Sequence, residues 1–373
     1  MSQSFQSLST PGVQQLKPYI PGKPIDELER ELGITNSIKL ASNENPLGPS
    51  EKAVAAIRAH CESVNFYPDG GGYKLRKKIA EKFQIDYAGI TLGNGSNDIL
   101  ELVARAFLDA NTSAVYSEYA FAVYPIVVQA VGAAANIARA FSLEHETMPL
   151  GHDPEALLNS IDEKTRVIFI ANPNNPTGTW LEPEVMKRLL DDIPGDVIVV
   201  LDMAYNEYMD DSLQINIAAW LASYPNLVIT GTFSKIYALA GLRIGYALSS
   251  PEIADLLNRV RQPFNTSLLA QEAALASLDD EQHIMKSVEL NNSGKSYLKG
   301  ALNEMGLSCL PTMGNFITVN LRRNAQPVYD ALLKQGVIVR PVANYNMPEF
   351  LRITIGTAEQ NKRMIASLQE VLK

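Results

Sequence analysis

From Ile90 onward the chain alternates short apolar runs with amphipathic segments. Val167-Ile-Phe-Ile-Ala171, Val197-Ile-Val-Val-Leu201 and Leu227-Val-Ile-Thr230 are rich in β-branched residues and end in turn-forming or polar ones. Each predicts a buried strand. Ala114–Tyr116, Ala138–Phe141 and Ile244–Leu248 are shorter candidates. Between the runs, 98–108, 153–160, 182–191 and 216–221 carry helical spacing, the first opened by Thr91-Leu-Gly-Asn-Gly-Ser-Asn97. The run 121–131 suits a helix or an extended buried segment equally, because β-branched residues fill it. Strand and helix in alternation predict an α/β domain around a mostly parallel sheet.

The flanks have another texture. Residues 1–24 read as an arm, because Pro11-Gly12, Pro18, Pro21-Gly22 and Pro24 oppose regular helix or central strand. Tyr19 and Ile20 among these prolines favour an arm laid across the protein over a disordered one. A short helix (25–32), a short strand (38–40) and the polar loop Asn43–Pro49 follow, with Ser50 placed to cap a helix over 51–59. Tyr67-Pro-Asp-Gly-Gly-Gly-Tyr73 must turn tightly before a helix over 74–83. Beyond Pro251 three helical stretches end at Gly306. The pattern then reads β-α-β-β-α over 316–319, 326–334, 337–339, 351–355 and 358–372. The expected division is 1–50 as arm and part of a small α+β domain, 51–270 as the large domain, and 271–373 as the rest of the small one.

Composition sharpens this only at a few points. With 373 residues, 46% of them hydrophobic, the chain is long for a single core. A formal net charge of -9 with no basic patch argues against nucleic acid as a partner; Lys77-Lys78 and Arg322-Arg323 are isolated pairs. No stretch reads as a secretion signal or membrane span. Cys61 and Cys309 lie far apart and suggest a reducing cytosol. The four histidines lack ligand spacing, so no metal site is expected.

Ligands of an open parallel sheet bind outside the carboxyl ends of its strands, and polar residues collect there. Gly95-Ser96-Asn97 opens a helix whose free N–H groups form an anion site by geometry, unless the side chains merely cap it. Asn175 lies in an Asn-Pro-Thr-Gly turn, which could be only a turn. Asp202 follows five apolar residues and needs a cation, a metal or a capping role; a protonated pyridine nitrogen would serve, with Tyr205 donating to a ring oxygen. In Thr232-Phe-Ser-Lys235 and Arg243, a lysine that can form a Schiff base accompanies hydroxyls and a guanidinium that can hold an anion. Arg352 sits inside a predicted strand, where a substrate carboxylate or an internal salt bridge would explain it. Neither G-x-G-x-x-G nor a Walker A motif is present, which argues against NAD or ATP.

Together, Asn175-Pro-Thr-Gly178, Asp202-x-x-Tyr205, Ser234-Lys235 with Arg243, and Arg352 resemble the fold-type I pyridoxal-phosphate aminotransferases, from about residue 18 to the C-terminus. Tyr19-Ile-Pro-Gly22, Leu40-Ala-Ser-Asn-Glu-Asn-Pro-Leu-Gly48, Tyr67-Pro-Asp69, Ala240-Gly-Leu-Arg243, Asn315-Phe316 and Arg352-Ile-Thr-Ile-Gly-Thr357 are similar to the histidinol-phosphate branch of that family. The resemblance implies a seven-stranded, mostly parallel sheet between helices, plus the smaller α+β domain. It implies pyridoxal 5′-phosphate on Lys235, with Asp202 at the pyridine nitrogen, Asn175 and Tyr205 at the phenolic oxygen, and Tyr119 against the ring face. Gly95, Ser96, Asn97, Thr232, Ser234 and Arg243 would surround the cofactor phosphate. Tyr67 would reach that phosphate from the other subunit of a homodimer. Tyr19, Asn45, Arg340 and Arg352 would bind substrate. The implied reaction moves an amino group between L-histidinol phosphate and 2-oxoglutarate, giving imidazole-acetol phosphate and L-glutamate for histidine biosynthesis. An aromatic amino-acid aminotransferase and a threonine-phosphate decarboxylase share the frame and stay open.

Overall fold

The computed structural model describes residues 5–373. After β1 (Ile38–Lys39) come the strands of the main sheet: β2 (Ile90–Gly93), β3 (Ser113–Ser117), β4 (Ala134–Ala138), β5 (Thr165–Ala171), β6 (Ile198–Asp202), β7 (Leu227–Thr232) and β8 (Gly245–Leu248). They form a seven-stranded sheet in the order β2-β8-β7-β6-β5-β3-β4. All neighbours are parallel except those of β8, which runs against both β2 and β7. The apolar runs read so clearly because both faces are covered. Ile168 and Ile170 of β5 join one core cluster with Val199 and Leu201 of β6. Val167, Phe169 and Val200 join another on the opposite face. The two-residue period of a strand divides the same run between the two layers.

The smaller domain contains β9 (Ser308–Cys309), β10 (Phe316–Asn320), β11 (Val337–Ile338), β12 (Arg340–Val342) and β13 (Met347–Thr354). Four of these make an antiparallel sheet, β12-β13-β10-β9, while β11 pairs in parallel with β1 near the N-terminus. Leu40 accordingly shares a core with Leu298, Ile317, Leu332 and Ile353. The fold is therefore a large α/β domain plus a smaller α+β domain. Helix Glu281–Glu304, 24 residues long, supplies Leu298 and Leu302 to the small core.

Several local expectations change. The ambiguous run 121–131 contains helix Val123–Ala130, whose Tyr124, Val127 and Val128 are buried. Packing of that face outweighs the strand preference of its valines. The strand expected at 138–141 is instead β4, 134–138. It lies at the sheet edge with Ala134, Ala135 and Ile137 exposed, so no apolar run marks it. The arm, from Phe5 on, holds two four-residue helical turns, Phe5–Leu8 and Pro11–Gln14; Pro11 stands in the first turn, where its missing N–H costs nothing. Met1 to Ser4 lie outside the described residues. Gly12 lies so close to helix Val123–Ala130 that a Cβ there would come within 1.9 Å of the Gln129 carbonyl oxygen. The arm is thus laid across the protein, as Tyr19 and Ile20 suggest.

Candidate active site

β5, β6 and β7 end at one level: Ala171 is in register with Asp202, and Asp202 with Thr230. Outside this edge lies a cavity of about 250 Å³. Asp202, the last residue of β6, is buried in its floor. Its Oδ2 accepts from the Tyr124 hydroxyl at 3.0 Å and its Oδ1 from Thr230 Oγ1 at 3.1 Å. Burial still raises its pKa, against those hydrogen bonds and the nearby Lys235. A cation brought beside the carboxylate would oppose that effect.

Lys235 stands in the loop after β7, and its Nζ donates to the Ser42 carbonyl at 3.1 Å. Burial, and then the neighbouring Arg352 guanidinium, pull its pKa down to about 8, while Glu44 acts in the opposite sense. An amine so placed gives up its proton far more readily than a surface lysine. The Tyr205 ring centroid is 5.7 Å from that nitrogen, and burial pushes the Tyr205 hydroxyl up to about 12. The hydroxyl accepts from Asn43 Nδ2 at 2.8 Å.

To one side of Lys235 is an anion cradle. Helix Ser96–Phe107 points its N-terminus into the cavity, and Ser96, Asn97, Thr232, Ser234 and Arg243 line the wall there. Gly95 precedes the helix at φ +81°, and a Cβ on it would fall 2.4 Å from Arg243 Nη2. Glycine at this position lets the guanidinium lie across the helix start. Arg243 itself takes a left-handed φ of +56° and donates to the Ala240 carbonyl at 3.0 Å.

The other side is built by the small domain. Arg340 on β12 and Arg352 on β13 are direct cross-strand partners. Like charges placed so are unfavourable unless an anion joins them. Arg352 is buried, donates to Asn175 Oδ1 and to the Ala41 carbonyl, and has an Nε without a partner. An arginine can only donate, so Asn175 must turn its oxygen to Arg352 and leave its Nδ2 donor free. Arg340 donates to the Ile20 carbonyl at 2.8 Å, with the Tyr19 ring centroid 5.7 Å from its guanidinium. The arm therefore forms part of the cavity wall.

With this geometry in view, the comparisons with known proteins are direct. The family described as aminotransferase class I and II matches residues 35–368. The chain belongs to that family. It is 54% identical over 370 residues to histidinol-phosphate aminotransferase 2 of Pseudomonas aeruginosa, covering 99% of this chain and 98% of that one. Its identity to histidinol-phosphate aminotransferase 2 of Methylococcus capsulatus is 50% over 369 residues, with 99% of each covered. A crystal structure of histidinol-phosphate aminotransferase from Sinorhizobium meliloti in complex with pyridoxal-5′-phosphate superposes with a TM-score of 0.88. That pair is 27% identical, and 97% of each chain is covered. Within the family the chain groups with the histidinol-phosphate aminotransferases.

The donor set of this aminotransferase fits the cofactor of that relative: a carboxylate for a pyridine nitrogen, an amine of low pKa for an aldehyde, and hydroxyls, helix N–H groups and a guanidinium for a phosphate. Two residues expected at this site, Tyr119 and Asn45, do not line the cavity. Tyr119 packs against the core cluster that includes Leu150, Leu310 and Tyr345, and Phe121, two residues on, lines the cavity. Asn45 turns away, donating to the Ile236 carbonyl and Ser287 Oγ at 2.9 Å each. It ties the Lys235 loop to the long helix, and Asn43 and Glu44 take its expected place in the wall. Tyr67 is 83% exposed and stacks on Phe264, outside this chain's own cavity. Gly95 acts through its missing side chain. Asn43, Glu44, Phe121 and Tyr124 were not singled out in the sequence. The one signal was the stretch Ser42-Asn-Glu-Asn45, whose alternation does not tell which residues face inward.

Proposed function

We propose that the cavity holds pyridoxal 5′-phosphate and that the enzyme exchanges an amino group between histidinol phosphate and glutamate, with imidazole-acetol phosphate and 2-oxoglutarate as the keto partners. The observation that carries the substrate reading is the Arg340–Arg352 pair with its unpartnered Nε, a strongly cationic end separate from the Arg243 cradle. One site has two anion-binding ends, suited to a phosphorylated cofactor and a phosphorylated substrate. The names of the relatives point to the same substrate.

When bound, the cofactor supplies an aldehyde carbon that condenses with amines and a ring that accepts the electron pair released at the substrate's Cα. The protein supplies the rest. Asp202 keeps a proton on the ring nitrogen, held in place by Tyr124 and Thr230. Asn175 Nδ2 and the Tyr205 hydroxyl would hold the ring's phenolic oxygen, and Phe121, with Tyr119 two residues before it, would supply an aromatic side chain beside the ring. Ser96, Asn97, Thr232, Ser234 and Arg243 bind the phosphate. Lys235 Nζ takes the Cα proton and carries it across as general base, then acid. Arg352, with Arg340 and Tyr19, anchors the substrate's phosphate or carboxylate, so glutamate and histidinol phosphate use the same end in turn.

Tyr67, with its exposed neighbours Val64 and Phe66, supports a homodimer in which this face meets the second subunit and Tyr67 reaches the neighbouring phosphate. Among the described residues no helix is long and apolar enough to cross a membrane. The free thiols of Cys61 and Cys309 support a cytoplasmic setting. The test is a panel of amino donors read by the cofactor spectrum. Histidinol phosphate is expected to convert the bound aldehyde form to the aminated form, far ahead of phenylalanine. Conversion by phenylalanine alone, or carbon dioxide release from threonine phosphate, would overturn the reading.

A further inference from the structure

The cavity wall carries four cationic side chains, Lys235, Arg243, Arg340 and Arg352, and two carboxylates, Asp202 and Glu44. Asp202 is committed: both its oxygens accept hydrogen bonds from the protein. Glu44 is different. Its Oε1 accepts from Lys39 Nζ at 2.7 Å, and among the described residues no other hydrogen bond reaches the carboxylate. Its side chain is 43% exposed.

A carboxylate, even one paired with Lys39 on one oxygen, is out of place in a cavity built for anions, since it repels the phosphate and carboxylate ends of the ligands. Its backbone is nevertheless fixed on both sides. Asn43 is held by Asn315 Nδ2 at 2.9 Å and by Thr354 Oγ1 at 2.9 Å. Asn45 is tied to Ile236 and Ser287. Glu44 is thus held at the cavity between two anchored residues, with Lys39 on one carboxylate oxygen and the other open to a ligand donor.

We propose that Glu44 is a specificity residue that accepts a hydrogen bond from the N–H of the substrate's nitrogen heteroaromatic ring. This rests on the reading of histidinol phosphate as substrate. With the phosphate at Arg340 and Arg352 and the reacting carbon at Lys235, the ring is the third substituent, and its N–H needs an acceptor. Glu44 is the wall carboxylate with an oxygen to spare. Glutamate presents no such donor, so the two substrates of one site divide the charges between them: both use the arginines, and only the heteroaromatic one uses Glu44.

The experiment compares histidinol phosphate, its phenyl analogue lacking ring N–H, and glutamate in the wild-type holoenzyme and in Glu44→Leu. Loss of a hydrogen bond to a charged group predicts that wild type favours histidinol phosphate over the phenyl analogue by about ten- to a hundredfold in KM. Glu44→Leu is expected to erase that preference by raising KM for histidinol phosphate well beyond any change in KM for the phenyl analogue or for glutamate. Lys39→Met, which removes the ion pair and keeps the carboxylate, should retain the preference. Equal loss on all three substrates would make Glu44 a modulator of Lys235 and overturn the proposal. So would loss of the preference in Lys39→Met, which would make Glu44 a strut. If Glu44→Leu does not fold, wild type decides alone: equal KM values for the two ring compounds sink the idea. Failure of wild type to turn over histidinol phosphate at all refutes the substrate reading instead.

Discussion

A lysine in water keeps its proton to about pH 10.4; Lys235, enclosed by the strand ends and facing Arg352, releases it near 8. The unprotonated amine is the form that attacks an aldehyde, so capture of the cofactor by apoprotein should accelerate with pH and level off above about 8. A plateau reached only near 10 would contradict the burial argument. Lys235→Ala protein, dialysed after loading, should show no absorbance from a lysine-bound cofactor. Tyr124 makes a second test at this scale, because it is fully buried and donates to Asp202. Tyr124→Phe leaves the ring in place against Phe169 and removes one donor to a buried carboxylate. Loss of such a bond costs about 1.5–3 kcal/mol, so the cofactor dissociation constant should rise at least roughly tenfold, as read by equilibrium dialysis. Unchanged affinity would mean Thr230 and the backbone suffice.

At the scale of elements, the turn after β5 has to carry Asn175 to the small domain without disturbing the sheet edge. Gly178 closes it at φ +86°, where a Cβ would lie 2.4 Å from Thr312 Oγ1. Gly178→Ala combines a left-handed backbone with a clash against β10's approach. A penalty of roughly 1–3 kcal/mol is expected, seen as a lower thermal midpoint with reduced activity. His152 braces the same strand end: its Nε2 hydrogen-bonds the Ala171 carbonyl at 2.9 Å, while burial holds its pKa down to about 4. The unfolded chain, with an ordinary histidine near 6.5, binds the proton first as pH falls. Stability from this neutral buried ring is therefore present above about pH 6.5 and lost progressively toward 4. Thermal melts of wild type and His152→Asn between pH 7 and 4.5 check it: the variant should lose less stability over that interval.

For the whole molecule, the exposed aromatic face around Tyr67 and the arm crossing to Arg340 set the last prediction. Tyr67→Ala should keep its fold, since the side chain is 83% exposed, but release cofactor more readily if a second subunit completes the site. Sedimentation should find a dimer; a fully loaded wild-type monomer would refute it. How much of this was legible beforehand follows from the range over which each feature is encoded. The sequence by itself determined the α/β rhythm, because strands covered on both faces must be apolar throughout, and this is a local property. It also determined that Asp202, Asn175, Lys235 and the helix start at Ser96 gather at one edge, because parallel crossovers bring successive strand ends to the same side. The edge strand β4 was legible only as a strand displaced to 138–141, since its exposed positions leave no apolar run to mark 134–138. Only the tertiary structure shows that Phe121, Asn43 and Glu44 line the cavity, because neighbours in a loop differ only in which way the backbone turns them. It alone set Arg340 against Arg352 and drew Ile20 to Arg340. The first follows from the pairing of β12 with β13, and the second joins residues 320 positions apart along the chain.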